Sequence, residues 1–199
     1  AGVMANRMST GAIKLFERLL GPVAVSRAVR KARVLRSAVG TPQVAAAPRT
    51  FAGPENLSLV SWPSVFGAGK LDKGAAALLP HIPAHPGPLE IVDLGCGGGV
   101  LGLVAALRCP AAQLTFVDDS ALAIQSSELS WQANAPLLGA RPARFVHADD
   151  LAALPGAAMD LVLCNPPFHQ EHAQTRQAGA AMFAEARRVL RADGALLAV

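Results

Sequence analysis

Apolar positions recur along this chain with two periods, and their order predicts its architecture. In residues 10–20 the apolar Ile13, Leu15, Phe16, Leu19 and Leu20 fall at helical spacing, with Ser9 and Thr10 available as caps and Gly21-Pro22 as a stop, which predicts a short helix. Residues 23–35 predict a second, basic helix, although their β-branched content works against it. Residues 40–48 open with Gly-Thr-Pro and end on Pro48, which predicts a linker and a domain boundary near residue 50. A strand is then expected at 57–62, a Gly-rich loop at 66–70, a helix opening at Asp72 and ending before Pro80, and an irregular stretch with three prolines at 81–88.

From there strands and helices alternate. Strands are predicted at 90–94, 113–117, 143–147, 160–164 and 195–199, and helices at 99–108, 120–134 and 177–190. Alternation of this length predicts an α/β domain with a doubly wound, mostly parallel sheet. Five strands are visible where a closed domain of this kind has more. The chain also starts on Ala1 and stops inside a strand, so the pattern is that of a domain truncated at both ends.

Composition narrows this picture. Of 199 residues 52% are hydrophobic, only 5% are aromatic and Tyr is absent, so the core must be mainly Leu, Val and Ala, which suits a helix-covered parallel sheet. Cys96, Cys109 and Cys164 share no metal-ligand spacing and make a poor disulfide framework, which points to a reducing cytoplasm. The sequence holds no apolar run of membrane-spanning length and no signal-peptide pattern at its start, so a soluble protein without membrane partners is expected. Charge is uneven: residues 1–50 hold nine Lys or Arg (Arg7, Lys14, Arg18, Arg27, Arg30, Lys31, Arg33, Arg36, Arg49) against Glu17 alone. That local +8 leaves −4 for the remainder of a chain whose total is +4. Such a basic lobe is either a contact for a phosphate backbone or a solvated face.

Three constellations carry candidate chemistry. In Asp93-Leu94-Gly95-Cys96-Gly97-Gly98-Gly99 a buried strand runs into a glycine turn and a helix, where backbone can approach a ligand closely. A dinucleotide fingerprint would need a third glycine where Val100 stands, and that reading loses ground. Asp118 closes the second strand and can accept both hydroxyls of a ribose, or else cap the helix at Ser120. Asp149 follows the third strand in the same manner, facing an adenine amine or serving as an N-cap. The most specific signal is Asn165-Pro166-Pro167-Phe168 at the end of the fourth strand. The two prolines fix the backbone and remove donors, leaving the Asn165 side-chain oxygen and the Pro166 carbonyl as acceptors for an NH2 group, with Phe168 placed to stack on a planar base. His169 and His172 lack a third ligand at metal spacing, so no metal is expected.

Together these residues resemble the class I S-adenosylmethionine methyltransferases with an Asn-Pro-Pro-aromatic motif, a Rossmann-like fold. Asn165 to Ala173, reading Asn-Pro-Pro-Phe-His-Gln-Glu-His-Ala, is similar to the ribosomal RNA guanine-N2 methyltransferases. Residues 15–22, Lys31-Ala-Arg33 and Phe116-Val-Asp-Asp-Ser120 are most like the members acting on large-subunit (23S) rRNA. The resemblance implies S-adenosyl-L-methionine as cofactor, held by Asp93, Gly95, Gly97, Asp118, Asp149 and Asn165. It implies Asn165, Pro166, Pro167 and Phe168 as the catalytic group, and ribosomal RNA with a single-stranded or flipped guanine as partner. Residues 1–50 would then be the tail of an N-terminal methyltransferase-like, RNA-binding domain plus linker, and 51–199 the catalytic domain without its last strands. The family loop Leu-Asp-x-Gly is kept as Leu71-Asp-Lys-Gly74, whereas Ala148 replaces a polar residue before Asp149. Two alternatives stay open: a protein-glutamine N5-methyltransferase using the same Asn-Pro-Pro frame, and a non-catalytic RNA-binding relic.

Overall fold

The computed structural model describes residues 2–5, 10–30, 32–38, 47–139, 141–166 and 173–199. The chain divides into two compact units, Ala1–Ala46 and Ala47–Val199.

The first unit holds β1 (Gly2–Ala5), α1 (Thr10–Leu20), β2 (Val23–Val25) and β3 (Ala32–Ser37), the strands forming an antiparallel sheet in the order β1-β3-β2. Residues 23–35 are therefore not the expected helix. Val23, Val25 and Val34 are β-branched and favour the pleated surface. The Ser26 hydroxyl also accepts from Val34 N–H at 2.9 Å, which helps close the hairpin. Leu35 is buried, while Arg27, Arg30, Arg33 and Arg36 are exposed. Lys31 lies outside the described residues.

The second unit begins with a hairpin of β4 (Arg49–Ala52) and β5 (Ser58–Ser61); β4 starts directly after the expected linker of 40–48, where no strand was expected. Next come α2 (Lys73–Leu78), β6 (Glu90–Leu94), α3 (Val100–Arg108), β7 (Gln113–Asp118), α4 (Ala121–Ala133), α5 (Ala135–Leu138), β8 (Arg144–His147), β9 (Met159–Cys164), α6 (Ala173–Val189) and β10 (Leu190–Ala198). Strands β10-β9-β6-β7-β8 form one parallel sheet in that order. Central strands buried on both faces read as nearly continuous apolar runs. Ile91, Leu114, Phe116, Leu161 and Leu163 pack toward α2, α3 and Trp131 of α4. Val92, Leu94, Val117, Val162 and Cys164 pack on the other face with Leu151, Leu154, Ala186 and Val189.

Two local fits position the site. Helix α3 lies close on the sheet at Gly102, where an added Cβ would stand 2.3 Å from Cε1 of the fully buried Phe116. Helix α4 and its C-cap Asn134 bury a polar stripe, Ser126, Ser130 and Asn134, at four-residue spacing. Their side-chain oxygens accept from the N–H groups of Trp62 (3.0 Å), Val60 (2.9 Å) and Ser58 (2.9 Å), and Ser130 and Asn134 donate back to the carbonyls of Val60 and Ser58. The helix thus satisfies an edge of β5 that would otherwise leave buried main-chain groups unpaired. This anchors the hairpin and the segment leading from it to the cleft.

Candidate active site

The chain runs from β6 outward to β7 and β8, then returns to place β9 and β10 on the opposite side of β6. This reversal is the topological switch point, where open α/β sheets bind ligands at the carboxyl ends of strands. Leu94 is in register with both Val117 and Cys164, so Gly95, Asp118 and Asn165 stand level with one another at the carboxyl edge of the sheet.

The glycine turn is held from below by the sheet. Gly95 and Cys96 donate their N–H groups to the Val117 carbonyl at 2.9 and 3.1 Å, and Gly97 donates to Asp118 Oδ2 at 2.8 Å. Gly95 and Gly97 have φ of +69° and +54°, a left-handed backbone that any side chain would strain. Asp118 Oδ1 accepts from Ser120 N–H at 2.9 Å, while Ser120 itself caps α4 by accepting from Ala123. Burial raises the Asp118 pKa in spite of the two N–H donors. Asp93 is 1% exposed beneath the turn and accepts from Gly102 N–H at 2.8 Å. Burial, with a smaller contribution from the charge of Asp118, pushes its carboxyl up to about 7. It ties the end of β6 to the first turn of α3 and is not among the residues lining the cleft.

A cleft of about 460 Å³ opens at this end of the sheet, between the Ser64–Val65–Phe66 segment, the glycine turn, Asn165, and Met182 and Glu185 of α6. Asp118, Asp119, Asp149, Asp150 and Glu185 all line it, and no Lys or Arg does so among the described residues. Asp150 accepts from Ala152 N–H at 2.9 Å within a turn, and among the described residues no helix follows Asp149 between β8 and β9 for it to cap. Asp149 is exposed at the rim.

Asn165 is half-buried and donates its Nδ2 to Asp72 Oδ2 at 2.9 Å. Asp72 is also the N-cap of α2. Burial acts to raise its pKa, but the hydrogen bonds from Asn165 and from the N–H groups of Ala75, Gly74 and Lys73 outweigh this and hold it below the usual carboxylate value. Pro166 is buried, whereas Pro167, Phe168, His169 and His172 lie outside the described residues. Among the described residues no three His, Cys, Asp or Glu gather as a metal site, and no helix is long and apolar enough to cross a membrane. The sequence pattern marked Asp72 only as a helix start. Its bond to Asn165 spans 93 positions, and the sole sequence signal for it was the Leu71-Asp-Lys-Gly74 loop.

A parallel sheet with a glycine turn and a strand-end Asn-Pro at its switch point is the architecture of the class I methyltransferases. The chain belongs to the methyltransferase small domain family, whose model matches residues 56–199. It is 42% identical over 202 residues to the ribosomal RNA large subunit methyltransferase G of Ectopseudomonas mendocina, covering 98% of this chain and 52% of that protein. It is 43% identical over 209 residues to its namesake from Streptomyces griseus, with 98% and 53% covered. The chain thus spans about half the length of the curated relatives it matches. Among solved structures it is similar to the T. thermophilus 16S rRNA N2 methyltransferase RsmC in complex with AdoMet and guanosine, with a TM-score of 0.78 and 26% identity over 98% of this chain and 54% of that one. A SAM-dependent methyltransferase from Agrobacterium tumefaciens shares the fold, with a TM-score of 0.58 and 21% identity over 83% of this chain and 55% of that one.

Proposed function

We propose that the full-length protein transfers a methyl group from S-adenosylmethionine to the exocyclic N2 amine of a guanine in 23S ribosomal RNA. The observation that carries this reading is the convergence of the glycine turn, Asp118 and Asn165 on one cleft. The rRNA methyltransferase names of the relatives and the guanosine in the RsmC complex support the substrate. The cleft fits the cofactor chemically: five carboxylates favour a ligand carrying a sulfonium and an ammonium, and would repel the diphosphate of a dinucleotide. Gly95 and Gly97 would let the main chain approach it, Asp118 would accept from its ribose hydroxyls and Asp149 from its adenine amine, with Asp93 holding the start of α3 beneath.

When bound, the cofactor supplies an electrophilic methyl group. The residues must then present a weak nucleophile, since the guanine N2 lone pair is delocalised into the ring. Asn165 Oδ1 and the Pro166 carbonyl accept the two amine hydrogens, orient the nitrogen and favour the positive charge that develops as it attacks. Pro167 stiffens this row and offers no competing N–H. Phe168, as its place in the sequence motif suggests, would stack on the base, which must leave its own stack to enter. No strong general base is required, because the amine proton becomes acidic only after transfer. With an rRNA substrate the protein would act in the cytoplasm.

Calorimetry with S-adenosylhomocysteine tests the cofactor assignment. The full-length protein is expected to bind it, and Asp118→Ala to bind about ten- to a hundred-fold more weakly, as suits the loss of hydrogen bonds to a charged group. Equal binding by the two proteins, or none by the parent, would contradict the assignment.

The first unit would contact phosphates through the exposed Arg27, Arg30, Arg33 and Arg36 together with Lys31. RNA affinity should then fall with salt, and neutralising two of these residues should flatten the slope by about two phosphate contacts. A slope unchanged in a filter-binding titration would return the segment to a solvated face.

A further inference from the structure

We propose that Asp72 is a positioning residue for Asn165, and that residue 74 is glycine because Asn165 occupies the space a side chain would need. This rests on the reading of Asn165 given above. Three donors converge on one oxygen, Asp72 Oδ2: the N–H groups of Gly74 at 2.8 Å and Ala75 at 3.1 Å, and Asn165 Nδ2 at 2.9 Å. An ionised carboxylate can only accept, so Asp72 selects which end of the Asn165 amide faces it. The NH2 end turns to Asp72 and Oδ1 is left as the acceptor. The two ends of an amide are nearly the same size, and without Asp72 a half-turn of the side chain would present N–H to the target amine, donor against donor.

Gly74 acts from the other side. A Cβ built there would stand 2.5 Å from Asn165 Oδ1, 3.1 Å from its Cγ and 3.0 Å from Asp72 Oδ2. Gly74 lies within α2 and is not among the residues of positive φ, so its backbone does not call for glycine. Alanine is the better helix former, and glycine in this first turn weakens the helix. The colliding atom is a side-chain end that can swing away, so alanine should be easy on the fold and hard on the placement of Asn165. Asp72, α2 and Gly74 thus form a seat that fixes both the rotation and the location of an amide 93 residues further along the chain.

Single-turnover methylation of ribosomal RNA from a strain lacking the gene, using the full-length protein and S-adenosylmethionine, tests this. Gly74→Ala is expected to unfold at or above the parent temperature and to bind S-adenosylhomocysteine within two-fold of the parent, yet to react at least about ten-fold more slowly. Asp72→Ser keeps a good helix cap but is too short to hold Asn165, and is expected to slow by a similar factor; Asp72→Asn, which retains an acceptor oxygen, should recover most of the rate. In an Asn165→Ala background neither Gly74→Ala nor Asp72→Ser should slow the reaction further, because the three residues act as one unit. Near-parent rates for Gly74→Ala and Asp72→Ser beside a crippled Asn165→Ala would overturn the proposal, as would losses that simply add in that background. A near-parent rate for Asn165→Ala itself would instead overturn the reading of the site on which the proposal stands.

Discussion

Replacing Asn165 with alanine is expected to slow methyl transfer by about a hundred- to a thousand-fold while S-adenosylhomocysteine binding stays within a few-fold of the parent. The side chain leaves β9 beside the glycine turn, with its amide nitrogen committed to Asp72 and its oxygen remaining as acceptor. Removing one preorganised hydrogen-bonding group from an enzyme site costs roughly 3 to 4 kcal/mol in the transition state. The turn keeps its bonds to Val117 and Asp118 in the variant, so the cofactor side is untouched. Rapid-quench single turnover separates the two effects, and a variant within three-fold of the parent rate would mean that the amide does not face the reacting nitrogen.

Gly102→Ala is expected to lower stability by about 1 to 3 kcal/mol, the usual cost of overfilling a packed core. The added methyl would lie 2.3 and 2.7 Å from Cε1 and Cζ of Phe116 and 3.1 Å from Asp93 Oδ2. Phe116 cannot retreat: it is fully buried, stacked on Phe145 at 5.1 Å and in edge contact with Trp131 at 5.8 Å. The gain in helix propensity from glycine to alanine, up to about 1 kcal/mol, offsets only part of this. Gly98→Ala is the control, since a Cβ there meets nothing within 4 Å. A denaturant midpoint for Gly102→Ala equal to that of Gly98→Ala would show that α3 can lift off the sheet at no cost.

The same Gly102 shows what the sequence could and could not disclose. The dinucleotide pattern directs attention to position 100, which holds Val100, yet the close approach of helix to sheet falls two residues later, and only the ring of Phe116 reveals it. Strands β6, β7 and β9 were legible because both faces are buried and their residues form apolar runs. Strand β4 was not: Arg49–Ala52 is short and largely exposed, follows Pro48, and is defined by its pairing with β5 rather than by its own pattern. Ser126, Ser130 and Asn134 stand at visible helical spacing, but a polar stripe reads as a solvated face until the edge of β5 is laid against it. Residues 23–35 carry charge in a rhythm that suits a helix, and the hairpin that decides otherwise depends on pairing of β3 with both β1 and β2. Among the site residues, Gly95, Asp118 and Asn165 each end or follow a predicted strand, and a parallel sheet brings such residues together by necessity. The link from Asp72 to Asn165 depends on how α2 packs, which local sequence does not encode.

The most direct test of the central claim is nucleoside mass spectrometry of 23S rRNA from a deletion strain after incubation with the full-length protein and S-adenosylmethionine bearing a labelled methyl group. The account predicts label in N2-methylguanosine, and only a small fraction of it when the Asn165→Ala protein is used for the same time. Label on another nucleoside or on a protein glutamine, or no transfer by a protein that binds S-adenosylhomocysteine, would contradict it.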